Sequence, residues 1–221
     1  MTPEPYALWD LVPPVLPPPS RLYALAPIAV GTPVGESLTS YVLRLAQAHR
    51  VSVRTLVVHE IRPHLGPAAA RAAYVGRLSG FWARDAATLN GTSGVTRTWV
   101  QALEWLTERD KLTDLTLLCW ANVLAAAGLL RYRRAWCPHC YAEQQDGVVY
   151  DPLLWSVAQV TVCVRHHSPL VQQCPHCGDE PPWLAPHARP GCCSSCGVWL
   201  GQTASSGPPS DAVNHRAILH T

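Results

Sequence analysis

Four short stretches decide how this chain is read: Cys137-Pro138-His139-Cys140, Cys163-Val164-Arg165-His166, Cys174-Pro175-His176-Cys177 and Cys193-Ser194-Ser195-Cys196. Each places two soft donors with two residues between them. That is the spacing of a tight turn that grips half of a tetrahedral site. Pro138 and Pro175 pre-set one dihedral of their turns, and Gly178 and Gly197, just past the last ligand, tolerate the positive φ such turns need. Four thiolate or imidazole donors per site suit zinc, which has no directional preference of its own and closes a structural site tetrahedrally. Disulfides are the competing use of cysteine, but pairs repeating at one spacing point to metal. The expectation is two structural zinc ions, one with three sulfurs and a nitrogen and one with four sulfurs.

The pairs combine in one of two ways. A sequential arrangement joins Cys137, Cys140, Cys163 and His166, then Cys174, Cys177, Cys193 and Cys196. A cross-brace would interleave first pair with third and second with fourth. The spacing alone leaves both open, although the seven residues from His167 to Gln173 exceed what a RING-type cross-brace uses and favour the sequential order. Cys192 and Cys193 compete for one place, and only Cys193 keeps two residues before Cys196. His167 competes with His166 on the same ground. His139 and His176, inside their turns, are expected to point outward.

Outward from these turns, the 221 residues suffice for one medium domain or two small ones. Hydrophobic residues make up 48% and charged ones 14%, so the chain can bury a core, with nine tryptophans supplying bulk. Net charge is only +2, but residues 21–84 hold eight arginines against Glu36 and Glu60. This half can face nucleic acid, or present an ordinary solvated surface. The acidic start, without an apolar signal core, and the lack of an apolar run of about 18 residues predict a cytoplasmic protein with no membrane span. Reduced cysteines agree with that compartment.

Residues 1–20 carry seven prolines and are expected to be extended. Trp9 and Leu11 on this arm are candidate partner anchors. Leu38, Tyr41, Val42, Leu45 and His49 recur at three and four, predicting a helix over about 37–50 capped by Ser37. After a break at Arg50-Val51, Ser52 caps a second helix that Pro63 ends. Two helices so closely joined match a helix-turn-helix, and Arg50 and Arg54 become candidate nucleic-acid contacts. Ala68–Leu78 is expected to be helical, and Asn90–Gly94 a loop. Further helices are expected over 97–109, on Trp99, Leu103 and Leu106, and over 113–127, started by Thr113 and stopped by Gly128. Cys119, on the last of these, is expected as a buried free thiol. Arg131, Arg133 and Arg134 form a basic joint that contacts phosphate or covers the preceding helix end. Val157, Val160 and Val162 predict an extended segment, part of a strand pair between Cys140 and Cys163. Residues 203–221 are expected to be flexible.

No metalloprotease helix motif, phosphate-binding glycine loop or nucleophile elbow is present, and both metal sites are filled by protein ligands. The reading is a non-enzyme.

The order of parts carries a resemblance: Gly35-Glu36-Ser37-Leu38-Thr39-Ser40-Tyr41 with Arg44 and Leu45, then Trp136-Cys137-Pro138-His139-Cys140, Trp155, Cys163-Val164-Arg165-His166-His167, Leu170 and Cys174-Pro175-His176-Cys177-Gly178. Over residues 27–197 the chain resembles the TniQ family, target-selection adaptors of bacterial transposons whose longer relatives include TnsD. The resemblance implies a mainly α fold with small zinc-stabilised α+β modules: an N-terminal helix-turn-helix domain followed by two zinc fingers. The expected organisation is an arm (1–20), a helix-turn-helix domain (21–80), a helical connector (81–134), a first zinc finger (135–172), a second (173–202) and a tail (203–221). The partners it implies are the AAA+ ATPase TnsC and a target element, either an RNA-guided CRISPR effector with its guide RNA or attachment-site DNA. The chain is expected to be a compact adaptor, since no large domain follows the second zinc site. The competing functional readings are a DNA-binding transcription regulator built from the same parts and a RING-like ubiquitin ligase.

Overall fold

The computed structural model describes residues 20–66 and 78–201. The prolines of the arm, Trp9, Leu11, nearly all of the helix expected over Ala68–Leu78 and the tail lie outside these residues. Among the described residues the structure is mainly helical, with no strand and with six isolated bridges.

Helix α1 (Leu38–Ala48) begins where its cap puts it: the Ser37 hydroxyl accepts a hydrogen bond from the Ser40 N–H at 3.2 Å. Leu38, Tyr41, Val42 and Leu45 are fully buried, but so are Thr39 and Ser40, so the helix is enclosed on a polar side as well. Its end is a Schellman turn. The Val51 N–H donates to the Ala46 carbonyl at 3.1 Å and the Arg50 N–H to Gln47 at 3.0 Å, while Arg50 takes φ 55°. His49 caps the helix and stacks on Tyr23, ring centroids 4.2 Å apart.

Helix α2 (Val53–Thr55) starts at the Ser52 cap, widens into a π turn over Leu56–Ile61 and closes as a 3-10 turn over Arg62–His64. Pro63 therefore lies within the final turn rather than beyond the helix. In an α-helix its ring would crowd the carbonyl four residues back. The wider turn, in which the Arg62 N–H donates to Val57, carries the chain past that obstacle.

A short helix α3 (Leu78–Ala83) contributes Phe81 and Trp82 to the core, and a 3-10 turn (Asp85–Asn90) leads to α4 (Gly94–Thr107), capped by Ser93. The expected loop over Asn90–Gly94 is thus a well-anchored joint. Asn90 is fully buried, and its side chain accepts from the Thr39 N–H at 3.1 Å and donates to the Thr39 hydroxyl at 3.0 Å. Trp99, Leu103 and Leu106 face inward as the periodicity predicts, and Phe81 stacks on Trp99.

The helix expected over 113–127 does not form. Two 3-10 turns, Leu112–Leu115 and Leu118–Trp120, take its place. The Thr116 hydroxyl accepts the Leu118 N–H at 3.2 Å, a donor that a continuous helix would need. Beyond it Trp120 and Val123 are 53% and 72% exposed, so the stretch has no packed face to stabilise a helix. Cys119 is accordingly exposed, not buried.

The expected strand pair also fails. Val157 and Val162 make only single bridges, to Leu130 and Pro169. The last helix, α5 (Pro138–Gln144), follows Cys137, which makes no side-chain cap, and opens with Pro138 at its first turn.

Two cores result. One runs from Leu22 through Leu115 and takes in Leu184; the other gathers Trp136, Tyr141, Trp155, Trp183 and Leu200 around the buried cysteines and takes in Ala87. A buried polar chain joins them. Glu36 is paired with Arg44 at 2.5 Å and accepts from the Ser40 hydroxyl at 3.1 Å; that hydroxyl in turn accepts the Asp151 N–H at 2.9 Å. Burial pushes the Glu36 carboxyl up to about 7, against the opposing pull of Arg44 and Ser40. Asp151 pairs with Arg134, whose terminal nitrogen donates at 3.0 Å. The Arg134 Nε lies 2.9 Å from the other oxygen, at an angle poor for a hydrogen bond but close enough to keep the charges paired. The Tyr141 hydroxyl donates to Asp151 and accepts from Arg134. The backbone runs in parallel: the Ser37 N–H donates to the Asp151 carbonyl at 2.9 Å and the Leu153 N–H to Gly35 at 2.7 Å.

Removing Asp151 would leave the Arg134 charge buried without its counterion. Asp151→Ala is therefore expected to cost about 3–5 kcal/mol, whereas Ala at the exposed Arg133 should cost no more than about 0.5 kcal/mol. Urea unfolding followed by tryptophan fluorescence measures both, and an unshifted midpoint for Asp151→Ala would contradict the pairing.

Candidate metal centres

The last three turns share one closure. The His167 N–H donates to the Cys163 carbonyl at 2.9 Å, Gly178 to Cys174 at 2.9 Å and Gly197 to Cys193 at 3.0 Å. The donating residue has φ 50°, 73° and 75° respectively. Glycine meets that requirement freely at two of them; His167 meets it at a cost of roughly 1–2 kcal/mol. His167 thus forms the turn, is exposed, and is not among the donors.

Folding brings the first pair to the second and the third pair to the fourth. Cys137, Cys140, Cys163 and His166 form one group, Cys174, Cys177, Cys193 and Cys196 the other, and within each the donor atoms all lie within 4.8 Å of one another. Sulfur–sulfur distances are 3.6 Å for Cys140–Cys163, 3.7 Å for Cys174–Cys196 and 3.8 Å for Cys177–Cys193. His166 Nδ1 lies 3.5, 3.2 and 3.7 Å from the sulfurs of Cys137, Cys140 and Cys163. A tetrahedron with metal–sulfur bonds of about 2.3 Å and metal–nitrogen bonds of about 2.0–2.1 Å has edges of about 3.8 Å and 3.6 Å. The donors sit at those edges. A disulfide would need sulfurs at about 2.05 Å, and all nine cysteines are free.

The electrostatics divide the thiols: those of Cys163 and Cys174 are lowered, those of Cys140, Cys177 and Cys196 raised. Burial raises the Cys163 and Cys174 thiols, but amide donors in their own turns more than offset it: those of His166 and Arg165 for Cys163, and of Cys177 and His176 for Cys174, which comes down to about 7. Burial, with the Cys137 and Cys163 sulfurs beside it, pushes Cys140 well up. Three or four sulfurs crowded together resist ionisation, which a bound dication would reverse.

Of the arginines expected to meet nucleic acid, two are engaged within the protein. Arg134 is 2% exposed and held by Asp151, Tyr141 and the Cys192 carbonyl. Arg131 donates to the carbonyls of Val157 and Val160. Arg134 cannot reach a phosphate without dismantling the second core, and partly buried Arg131 spends two of its guanidinium nitrogens on carbonyls. Arg50, Arg54 and Arg133 are exposed. Arg50 lies in the left-handed turn after α1, and the Arg54 N–H donates to the Pro186 carbonyl, tying α2 to the second cluster's segment.

Sequence reading missed Asp151, the hub of the joint, and Glu143. Glu143 lies one helical turn after Cys140, and that spacing was the available signal. Its carboxylate contacts His166 and Arg165, which hold it below the usual carboxylate range.

These features define a mainly helical protein whose second half carries two four-donor clusters that could each hold a metal ion. Residues 27–170 match the model of one protein family, TniQ, over more than half of the chain. The chain belongs to the TniQ family of transposition-associated adaptor proteins. No curated protein matches it significantly. Among the described residues no helix is long and apolar enough to cross a membrane.

Serine at Cys193 should remove one of two bound metal ions per chain, while serine at Cys192, whose sulfur lies outside both clusters, should leave two. Elemental analysis of the purified variants decides it. Loss of an ion from Cys192→Ser with none from Cys193→Ser would reverse the assignment.

Proposed function

We propose that the protein is a non-enzymatic adaptor in DNA transposition that binds two structural zinc ions and links a target-recognition element to the AAA+ ATPase TnsC. The family match over residues 27–170 carries the reading, and the chemistry of the donor sets supports it. Cys137, Cys140, Cys163 and His166 would hold one zinc, and Cys174, Cys177, Cys193 and Cys196 the other. Four protein donors fill a tetrahedron and leave no position for a reacting water, so the metal supplies rigidity rather than Lewis acidity. Such thiolate sites persist in a reducing compartment, which fits the cytoplasm.

The tight pairing of α1 and α2 supports a helix-turn-helix, in which Arg54 and Arg50 would meet the backbone of DNA or of a guide RNA. Arg133 offers a further cationic contact on the metal-bearing half. The arm residues Trp9 and Leu11 would anchor the partner. The target element would be an RNA-guided CRISPR effector or attachment-site DNA.

Co-sedimentation of the zinc-loaded protein with the AAA+ ATPase of the same transposon, on duplex DNA with ATP, tests the reading. Pelleting that requires the assembled ATPase, and that weakens when residues 1–20 are removed, is the expected result. Salt-sensitive binding to one specific duplex, with no pelleting alongside an active ATPase, would instead identify a transcription regulator.

A further inference from the structure

Glu143 occupies an unusual place beside the first donor cluster. It lies near the end of α5, the helix that begins with Cys137 and Cys140. Its two oxygens are used separately, and both partners come from the opposite turn. Oε1 lies 2.8 Å from Nε2 of His166, and Oε2 accepts from the Arg165 guanidinium at 2.6 Å. One side chain thus reaches from the element carrying the first pair of donors to two consecutive residues of the turn carrying the second.

The imidazole fixes what this contact does. Its Nδ1 faces three sulfurs at 3.2–3.7 Å, so Nδ1 is the donor atom and must present a lone pair to a metal. The ring proton then belongs on Nε2, where Glu143 is the acceptor. A carboxylate behind a metal-bound histidine sets its tautomer, aims the ring and makes the ligand more basic. We propose that Glu143 is the positioning residue of the first metal centre: it takes the Nε2 hydrogen bond of His166 and holds Nδ1 on the metal, with Arg165 fixing the carboxylate in turn. The assignment rests on the metal reading above and goes beyond it by separating the two centres in kind.

The second cluster supplies the contrast. It too has an acidic residue bridging its two turns from outside: Asp179, two residues past Cys177, accepts from the Ser195 hydroxyl between Cys193 and Cys196. Ser195 is not a donor to the cluster, and a thiolate has no tautomer to set. Asp179 therefore joins two turns, whereas Glu143 joins two turns and also orients a ligand. Glu143 is half exposed, and an ion pair there contributes little by itself. An effect on the metal much larger than a surface ion pair can produce is thus the signature of positioning.

The test is zinc release from the full-length, two-zinc protein to a chromophoric chelator, for wild type and for Glu143→Ala, Glu143→Gln, Arg165→Ala and Asp179→Ala. Alanine at Glu143 should weaken one of the two sites by about 10- to 100-fold and leave the other at its wild-type affinity. The Gln variant, whose amide oxygen accepts the same N–H, should recover most of the loss. Arg165→Ala and Asp179→Ala should each change affinity by only a few-fold. Equal release from wild type and Glu143→Ala would overturn the proposal. So would a Gln variant as weak as the Ala variant with Arg165→Ala matching both, since the charge pair alone would then account for the effect. A wild-type chain that takes up no metal would overturn the metal reading, and this proposal with it.

Discussion

The second half of this protein must be held together by cross-links. From Leu129 to Gly201 it has one seven-residue helix, one 3-10 turn and isolated bridges, with no strand to carry a ladder of hydrogen bonds. Its core is built from tryptophans, a tyrosine and the cysteines themselves. Loop closure over so much irregular chain is an entropic cost that a handful of buried aromatics does not offset. Metal bound at the two four-donor clusters would remove it by tying residues 137 to 166 and 174 to 196, since structural zinc contributes about 10–16 kcal/mol of apparent binding energy per site in small modules. Metal binding and folding of this half would then be one equilibrium.

The helical half is organised differently, by capped helices around an apolar core, and the two halves meet at a polar joint. Gly35-Glu36-Ser37 supplies one side, Asp151 and Leu153 the other. Ser37 caps α1, Glu36 neutralises Arg44, and Ser40 passes the contact to Asp151, which neutralises Arg134. Within each side the charges are paired, and the Ser40 hydroxyl with two backbone hydrogen bonds ties one side to the other. Arg134 lies two residues before Trp136 and three before the first donor; its pairing therefore sets where the first metal turn stands relative to α1. An adaptor needs this property: surfaces on two modules at a fixed distance.

What could be read from the sequence follows from how local each signal is. The donor pairs were legible because a tight turn imposes its own spacing; their sequential grouping follows from turns that close on themselves and leave a short link to the next. Helix α1 was legible because its cap and apolar period lie within a dozen residues. The stretch 113–127 misled because Thr113 and Gly128 offer start and stop signals to a segment whose far end has no surface to pack on, while Thr116 takes a backbone donor for itself. Arg134 misled for the opposite reason. As part of a cluster of charge it read as surface, and only its contact with Asp151, 17 residues away, reveals it as internal. The valines at 157, 160 and 162 favour extended backbone, but irregular chain held by metal-binding turns satisfies that preference without a strand.

The central claim is that metal and fold are inseparable in one half of the molecule and independent in the other. Hydrogen exchange of the full-length protein, measured by mass spectrometry before and after chelation, tests it most directly. The account predicts that peptides spanning residues 131–201 lose their protection when the metal is removed, while those of α4 (Gly94–Thr107), packed within the helical core, keep it. Protection across 131–201 that survives complete metal removal would contradict it.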